Sequence, residues 1–115
     1  MELPQVINFA AGGDNTVSPV CPADKCLLIT SLWLMPESDC TIQFKDTGGN
    51  KIGGNMVMTS ATGTRFAALA YNPKGHFITS VGEAFVVNSN NANQVWGGFT
   101  YKVVSNPPKS IDCEP

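Results

Sequence analysis

The sequence predicts an all-β protein, an antiparallel β-sandwich of about eight or nine short strands. Turn-forming residues divide the chain about every 8 to 14 residues, which is the spacing of short strands in a sandwich or barrel. The segments between the turns alternate apolar and polar residues or are rich in β-branched and aromatic residues. No stretch of about ten residues places apolar residues at helical spacing without a glycine or proline, so helices are not expected.

Nine strands are predicted from this pattern, and 94–104 is expected to lie near the middle of a sheet. Phe99 and Tyr101 fall on one face of that segment, whereas Trp96 and Thr100 fall on the other. The predicted strands lie near 4–10, 15–20, 26–35, 40–46, 51–58, 64–71, 76–79, 83–89 and 94–104.

The two ends of the chain differ from its middle. The segment from Leu3 to Ala10 is typical of an edge strand or an arm. Three prolines among the last eleven residues remove the N–H donors that a sheet needs, so an extended tail is predicted there. We therefore divide the chain into an N-terminal strand or arm at 1–10, a sandwich domain at 11–104 and a C-terminal tail at 105–115.

The segment from Cys26 to Met35 is apolar on both of its predicted faces. Leu27, Ile29 and Trp33 are expected to point one way, and Leu28, Leu32 and Leu34 the other. One face of an antiparallel sandwich strand normally meets water, so this strand must be covered twice. One cover is the core of its own sandwich, and three are open for the other face, namely the N-terminal arm, a second subunit or an internal loop of the same chain.

Composition narrows the class of partner. Charged residues make up 14% of the chain, below the roughly 25% of ordinary soluble domains. A net charge of −2 and a pI near 5.1 provide no basic surface for nucleic acid or anionic lipid. The chain starts without a signal-peptide pattern, and its longest apolar segment is about half a membrane span. We expect synthesis in a cytoplasm, no membrane or nucleic-acid partner, and a surface that contacts another protein.

Four cysteines are present, and two arrangements are open. Cys21 and Cys26 bracket a short turn, and cysteines that face each other across a hairpin can meet the spacing of a disulfide. That pairing is favoured and leaves Cys40 with Cys113. The alternative is free, buried thiols that act as small apolar side chains. Zinc is not expected, because the sequence has no CxxC pair and His76 is its single histidine.

The remaining motifs favour structural roles. His76 has no pattern of nucleophile and orienting acid around it, so we expect no catalytic residue, no enzymatic activity and no cofactor. The segment Asp46–Asn50 is predicted to be a hairpin turn, since it lacks the oxygen ligands and the closing Glu of a calcium loop. Four aromatic residues would form a sugar-binding platform if they were exposed together, although their strand positions favour the core or a subunit contact. They are Trp33, Tyr71, Trp96 and Tyr101.

A series of turn and strand motifs follows in a fixed order between about residues 5 and 104. The motifs are Gly13-Asp14-Asn15-Thr16, Lys51-Ile52-Gly53-Gly54, Tyr71-Asn72-Pro73-Lys74-Gly75-His76-Phe77 with Thr79, Gly82-Glu83-Ala84, and Gln94-Val95 with Gly97 and Thr100-Tyr101. Their order resembles that of small virion proteins of tailed bacteriophages, which are jelly-roll or related β-sandwich modules that decorate or cement capsids. The four cysteines and the tail after Val104 depart from that pattern.

The resemblance implies a jelly-roll sandwich that binds outside the major capsid shell and bridges neighbouring capsomers, as a homotrimer on the virion exterior. The subunit-interface candidates that follow from it are Leu28, Leu32, Trp33, Leu34 and Trp96. The candidates for docking to the major capsid protein are Leu3, Val6, Ile7, Phe9, Pro107, Pro108 and Ile111. An alternative function is a module of a phage head or tail fibre that binds host glycan.

Overall fold

The computed structural model describes residues 2–59 and 65–105, which form two antiparallel β-sheets. Nine strands lie within these residues. They are β1 (Leu3–Phe9), β2 (Gly13–Thr16), β3 (Lys25–Pro36), β4 (Cys40–Asp46), β5 (Lys51–Met58), β6 (Ala67–Leu69), β7 (Phe77–Ile78), β8 (Phe85–Ser89) and β9 (Val95–Ser105). The predicted all-β class is confirmed. Among the described residues there is no helix able to cross a membrane.

The strand order is that of a jelly roll. The first sheet has the order β1-β9-β3-β6, with β7 also paired to β3, and the second sheet has the order β2-β8-β4-β5. The chain passes repeatedly from one sheet to the other, so that most neighbouring strands are distant in sequence. A five-stranded and a four-stranded layer joined in this way form the jelly-roll architecture, which confirms the predicted sandwich.

Strand β9 lies inside the first sheet, as its alternation predicts. It pairs with β1 on one side, from Leu3 opposite Tyr101 to Phe9 opposite Val95. It pairs with β3 on the other side over eleven register positions. The residues of β9 therefore form the middle of both faces of this sheet, one toward the core and one toward solvent.

The core lies between the two sheets and contains a cluster of phenylalanine rings. The rings of Phe44 and Phe77 stack with their centroids 4.7 Å apart, and those of Phe85 and Phe99 meet edge to face at 5.1 Å. Both geometries are favourable for aromatic pairs and bury large apolar surfaces. Fully buried aliphatic side chains surround the rings, namely Ile7, Leu27, Ile29, Leu34, Ile42, Val87 and Val95.

A β-bulge in β3 reverses the direction of its side chains. The register with β9 shifts between Ile29 and Ser31, so that Thr30 is an extra residue. Strict alternation, which the sequence prediction assumed, fails at that point. As a result Leu32 and Leu34 point into the core behind Ile29 and are buried there.

The two leucines after the bulge were therefore predicted on the wrong face. Leu32 and Leu34 belong to the core of their own subunit, so they cannot serve as subunit-interface residues. Trp33, which was expected to point the same way as Ile29, lies on the outer face and is partly exposed. Trp96 is also on the outer face, opposite Met35 in the register.

Leu28 is covered by a turn of its own chain. The turn at 72–75 is closed by a hydrogen bond of 2.8 Å from the Gly75 N–H to the Asn72 carbonyl oxygen. Gly75 has a φ of 82°, and a side chain at this position would collide with the Leu28 side chain. The loop cover that was left open from sequence is thus the one found at Leu28, and Gly75 permits it through its missing side chain.

The segment Leu3–Phe9 is an edge strand and not a detached arm. It pairs with β9 along its whole length. Ile7 is buried in the core, and Leu3 and Phe9 pack against that core. Ile7 is therefore unavailable for docking, whereas Val6 points to solvent. The reason is the period of two, which places alternate residues of an edge strand inside.

Three cysteines are described, and all are free, buried thiols. These are Cys21, Cys26 and Cys40. The structure thus has no Cys21–Cys26 bridge and shows the free-thiol alternative at these two residues, so a disulfide between them stays a prediction for the oxidised protein. The pairing of Cys40 with Cys113 stays a prediction because Cys113 lies outside the described residues. The same holds for the docking candidates Pro107, Pro108 and Ile111, and for the division of the chain at 105–115.

Candidate functional site

The outer face of the second sheet is crossed by a row of polar side chains. Asp14, Asn88, Gln43 and Asn55 are successive partners across its four strands. Asn88 donates to Asp14 at 2.8 Å, and Gln43 donates to Asn55 at the same distance. The hydrogen bond from Asn88, together with the ammonium group of Lys45 at 3.2 Å, lowers the pKa of Asp14. This face is built to meet water.

The outer face of the first sheet is apolar by contrast. One row across its strands consists of Val6, Gly98, Trp33 and Ala68, and the next contains Asn8, Trp96 and Met35. The exposed fractions are 72% for Val6, 42% for Trp33, 43% for Trp96 and 44% for Met35. Two partly exposed tryptophans on one sheet face are unusual for a surface that meets only water, because each leaves a large apolar area in contact with solvent.

A groove of about 490 Å³ runs across this face beside Trp33. We call it the Trp33 groove. Its floor is Gly98, where a side chain would begin 3.0 Å from the indole nitrogen of Trp33 and 3.3 Å from the Gln5 carbonyl oxygen. The missing side chain at Gly98 thus lets the indole lie over the strand and leaves room next to it. The groove is lined by Pro4, Gln5, Val6, Ser31, Trp33, Gly97, Gly98, Phe99 and Thr100.

A chain of hydroxyl groups leads from the groove to a carboxylate. Ser31 Oγ lies 2.7 Å from Thr100 Oγ1, which lies 2.8 Å from Thr30 Oγ1. Thr30 in turn donates to the Glu2 carboxylate at 2.7 Å. This last hydrogen bond, with others from Tyr71 and the charge of Lys102, lowers the pKa of Glu2 below its ordinary value.

The Glu2 carboxylate determines which hydroxyl is the donor in each hydrogen bond of this series. Ionised Glu2 only accepts, so the Thr30 hydroxyl donates its proton to it. The Thr100 hydroxyl then donates to Thr30, and the Ser31 hydroxyl donates to Thr100. Ser31 Oγ is left with free lone pairs at the groove, so the groove presents a hydrogen-bond acceptor there.

The other aromatic residues singled out from sequence do not join this face as one platform. Tyr101 is buried in the core. Tyr71 is exposed, but its hydroxyl donates to the Glu2 carboxylate at 2.9 Å. Trp33 and Trp96 are the two that share the outer face. The signal that was missed is Gly98, whose place in a strand indicates a close approach of another group.

Asp46 and His76 have structural partners. The buried Asp46 carboxylate accepts from the backbone N–H groups of Gly48 and Asn50, each at 3.0 Å, and of Ser80 at 2.9 Å. It therefore fixes the hairpin turn and ties it to a second loop. The Nε2 atom of His76 lies 2.7 Å from the Ala70 carbonyl oxygen. Within 2–59 and 65–105, no group of three or more His, Cys, Asp or Glu residues is placed to hold a metal ion.

Comparison with known proteins gives matches in structure alone. No family model matches the sequence, and no curated protein does. A chain of the "Acidic stable capsid structure of Helicobacter pylori bacteriophage KHP30" is 9% identical with a TM-score of 0.56, and the match covers 90% of each chain. A chain of the "Cyanophage Pam1 capsid asymmetric unit" is 16% identical with a TM-score of 0.50, covering 88% of this chain and 82% of the other. The protein thus shares its fold with chains of two phage capsid structures.

Proposed function

We propose that this protein is a structural virion protein that binds the outside of a phage capsid and bridges neighbouring capsomers. The observation that carries the proposal is the apolar outer face of the first sheet, with Trp33 and Trp96 exposed on it. Such a surface suits contact with other protein subunits. The shared fold with chains of two phage capsid structures supports a place in a virion.

Docking to the major capsid protein is assigned to the β1 edge and the C-terminal tail. Val6 is largely exposed on β1, which is an edge strand among the described residues. Pro107, Pro108 and Ile111 provide apolar groups on a segment of ten residues after Ser105. Several modest contacts of this kind add up when one particle offers many copies of the same site.

A homotrimer completes the proposal, and Trp96 is the residue assigned to the subunit contact. Trp96 and Met35 are register partners at one end of the outer face, and both are partly exposed. An aromatic residue surrounded by apolar neighbours is the usual centre of such a contact. Trp33 borders it, one row further along the sheet.

The test is the mass of the protein in solution, followed by sedimentation with capsids. Sedimentation equilibrium should give a trimer, and Trp96→Ala should reduce it to monomers. Val57→Ala is the matched control, because Val57 is an exposed apolar residue of the second sheet. The trimer should co-pellet at a fixed ratio with capsids assembled from the major capsid protein that is encoded with this chain. Removal of 106–115 should weaken co-pelleting without unfolding the sandwich.

Two results would count against the proposal. A protein that stays in the supernatant with these capsids at all concentrations would remove the capsid role. If the truncated protein occupies capsids as fully as the untruncated one, the tail has no role in docking, and the edge strand β1 remains as the docking candidate.

A further inference from the structure

We infer that the Trp33 groove is a binding site for an uncharged saccharide. The inference goes beyond the proposed function and does not depend on it, because saccharide binding is a property of the protein alone. It rests on three features of the groove, namely an aromatic surface, a hydrogen-bond acceptor of fixed direction and a lining without charge.

The aromatic surface is the indole of Trp33. The nitrogen edge of the indole lies close to Gly98, where a Cβ would be 3.0 Å from Nε1 and 3.6 Å from Cε2, while 42% of the residue remains exposed. A sugar ring has a face of C–H groups, and such a face packs against the flat surface of an indole. Pro4 and Val6 continue the apolar wall on the side of β1. A pyranose laid along this wall would cover apolar surface that is now in contact with solvent.

The acceptor is Ser31 Oγ. The chain of hydroxyls from Ser31 through Thr100 and Thr30 ends on the Glu2 carboxylate, so the proton of Ser31 is committed to Thr100. A ligand at Ser31 must therefore bring a donor. Saccharide hydroxyls are donors and acceptors at once, so a saccharide can bring the donor that Ser31 requires.

The residues that line the Trp33 groove disfavour a charged ligand. None of the lining residues that the structure describes is ionisable. The nearby carboxylate of Glu2 is already bound by Thr30 and Tyr71 and lies 3.8 Å from Lys102. A charged ligand would lose hydration in the groove without a partner of opposite charge, whereas a neutral sugar would not. The volume of about 490 Å³ lies within the range of small-molecule sites.

The groove and the proposed subunit contact are separable. The groove lies between Trp33 and β1, whereas the contact assigned to Trp96 lies with Met35 at the end of the face. The two tryptophans have nearly equal exposure, so each serves as the control for the other. Trp33→Ala should weaken saccharide binding. Trp96→Ala should leave saccharide binding unchanged and reduce the trimer to monomers.

The experiment uses the full-length protein and four neutral probes, oligosaccharides of glucose, of mannose, of galactose and of N-acetylglucosamine. Saturation-transfer NMR and tryptophan fluorescence are recorded with each probe. At least one probe should bind saturably, and Trp33→Ala should weaken its binding by about tenfold or more. Ser31→Ala should weaken it several-fold, and so should Gly98→Ala, which narrows the floor beside the indole. Circular dichroism checks that each variant folds.

Absence of saturable binding with all four probes would overturn the inference. So would a probe whose affinity falls equally in Trp33→Ala and Trp96→Ala, since binding would then not reside in the groove. Because Ser31→Ala removes a single hydroxyl from a half-buried position, it keeps the test valid if Trp33→Ala does not fold. The mass measurement on wild-type protein reports separately on the proposed trimer.

Discussion

Gly97 faces the backbone of Trp33 so closely that no side chain fits between them. A Cβ atom at this position would overlap the Trp33 carbonyl oxygen and come within 3.2 Å of Leu34 Cα. The two longest strands of the first sheet, β3 and β9, can lie this close only because position 97 has no side chain. The Trp33 backbone cannot move away from position 97 without breaking the hydrogen bonds between β3 and β9.

The first prediction follows from this contact. Gly97→Ala should destabilise the protein by about 2 kcal/mol or more, because β9 has to shift against β3. Gly54→Ala is the control, since a side chain at Gly54 on the edge strand β5 would meet nothing within 4 Å. Its effect should stay within about 0.5 kcal/mol. Urea unfolding of the three proteins measures both values, and equal midpoints for all three would contradict the packing described.

The second prediction concerns the two faces of β3. Leu34→Ala should cost about 2 to 5 kcal/mol, because Leu34 is fully buried in the core. Met35→Ala should change the free energy of unfolding by about 0.5 kcal/mol or less, because Met35 lies on the outer face. The comparison is made at protein concentrations where the chain is monomeric. A larger effect at Met35 than at Leu34 would place the bulge elsewhere.

The third prediction concerns the buried carboxylate of Asp46. Burial alone would raise its pKa, but hydrogen bonds from the N–H groups of Ser80 and Asn50 outweigh burial and lower it. Asp46→Asn should cost about 2 kcal/mol at neutral pH, because its amide would turn a donor toward one of these N–H groups. Asp24→Asn, in an exposed turn, is the control. Urea unfolding at pH 7 measures the difference.

The lowered pKa of Asp46 also makes the free energy of unfolding depend on pH. A carboxyl that holds its proton less tightly when folded stabilises the protein above the unfolded pKa, near 3.9. That contribution should be lost as the pH falls from about 5 through 3.9 toward the lower pKa of the folded state. Unfolding curves of wild type should shift in this range, and those of Asp46→Asn should shift less. Identical shifts would remove Asp46 as the source.

The fourth prediction concerns the thiols. Burial raises the pKa of Cys21 and of Cys26, and the neighbouring Cys26 raises that of Cys21 further. Raised pKa values leave few thiolates at neutral pH, so both residues should react with a thiol reagent only after unfolding.

Mass spectrometry after mild oxidation tests the predicted Cys21–Cys26 bridge, which would remove two hydrogen atoms from the chain. Rapid labelling of the native protein would contradict the burial described.

The sequence predicts the strands well because alternation and turn residues are local signals. The segment 94–104 was expected near the middle of a sheet, and β9 has partners on both sides. The segment 40–46 was predicted with the same bounds that β4 has. These elements depend on period-two patterns and on turn residues, both of which can be read without knowledge of the partner strand.

Such local patterns could not predict the candidate site. The bulge at Thr30 depends on how β3 fits β9, so the faces of Leu32 and Trp33 could not be assigned from the order of residues in β3 alone. The Trp33 groove needs Gly98 of another strand as its floor. The direction of the hydroxyl chain needs Glu2, which is far in sequence from Thr30 and Thr100. Each of these relations is non-local.

The extra residue in β3 also decides which changes of length this strand can absorb. Loss of Thr30 would remove the bulge and leave Ile29, Ser31 and Leu32 opposite their present partners, so Leu32 and Leu34 would still face the core. One residue inserted between Leu32 and Trp33, where the register has no shift, would instead turn the rest of the strand over and direct Trp33 and Met35 into the space that Leu34 helps to fill. That insertion should therefore do more damage than the deletion of Thr30, whereas the turns between strands should tolerate changes of length.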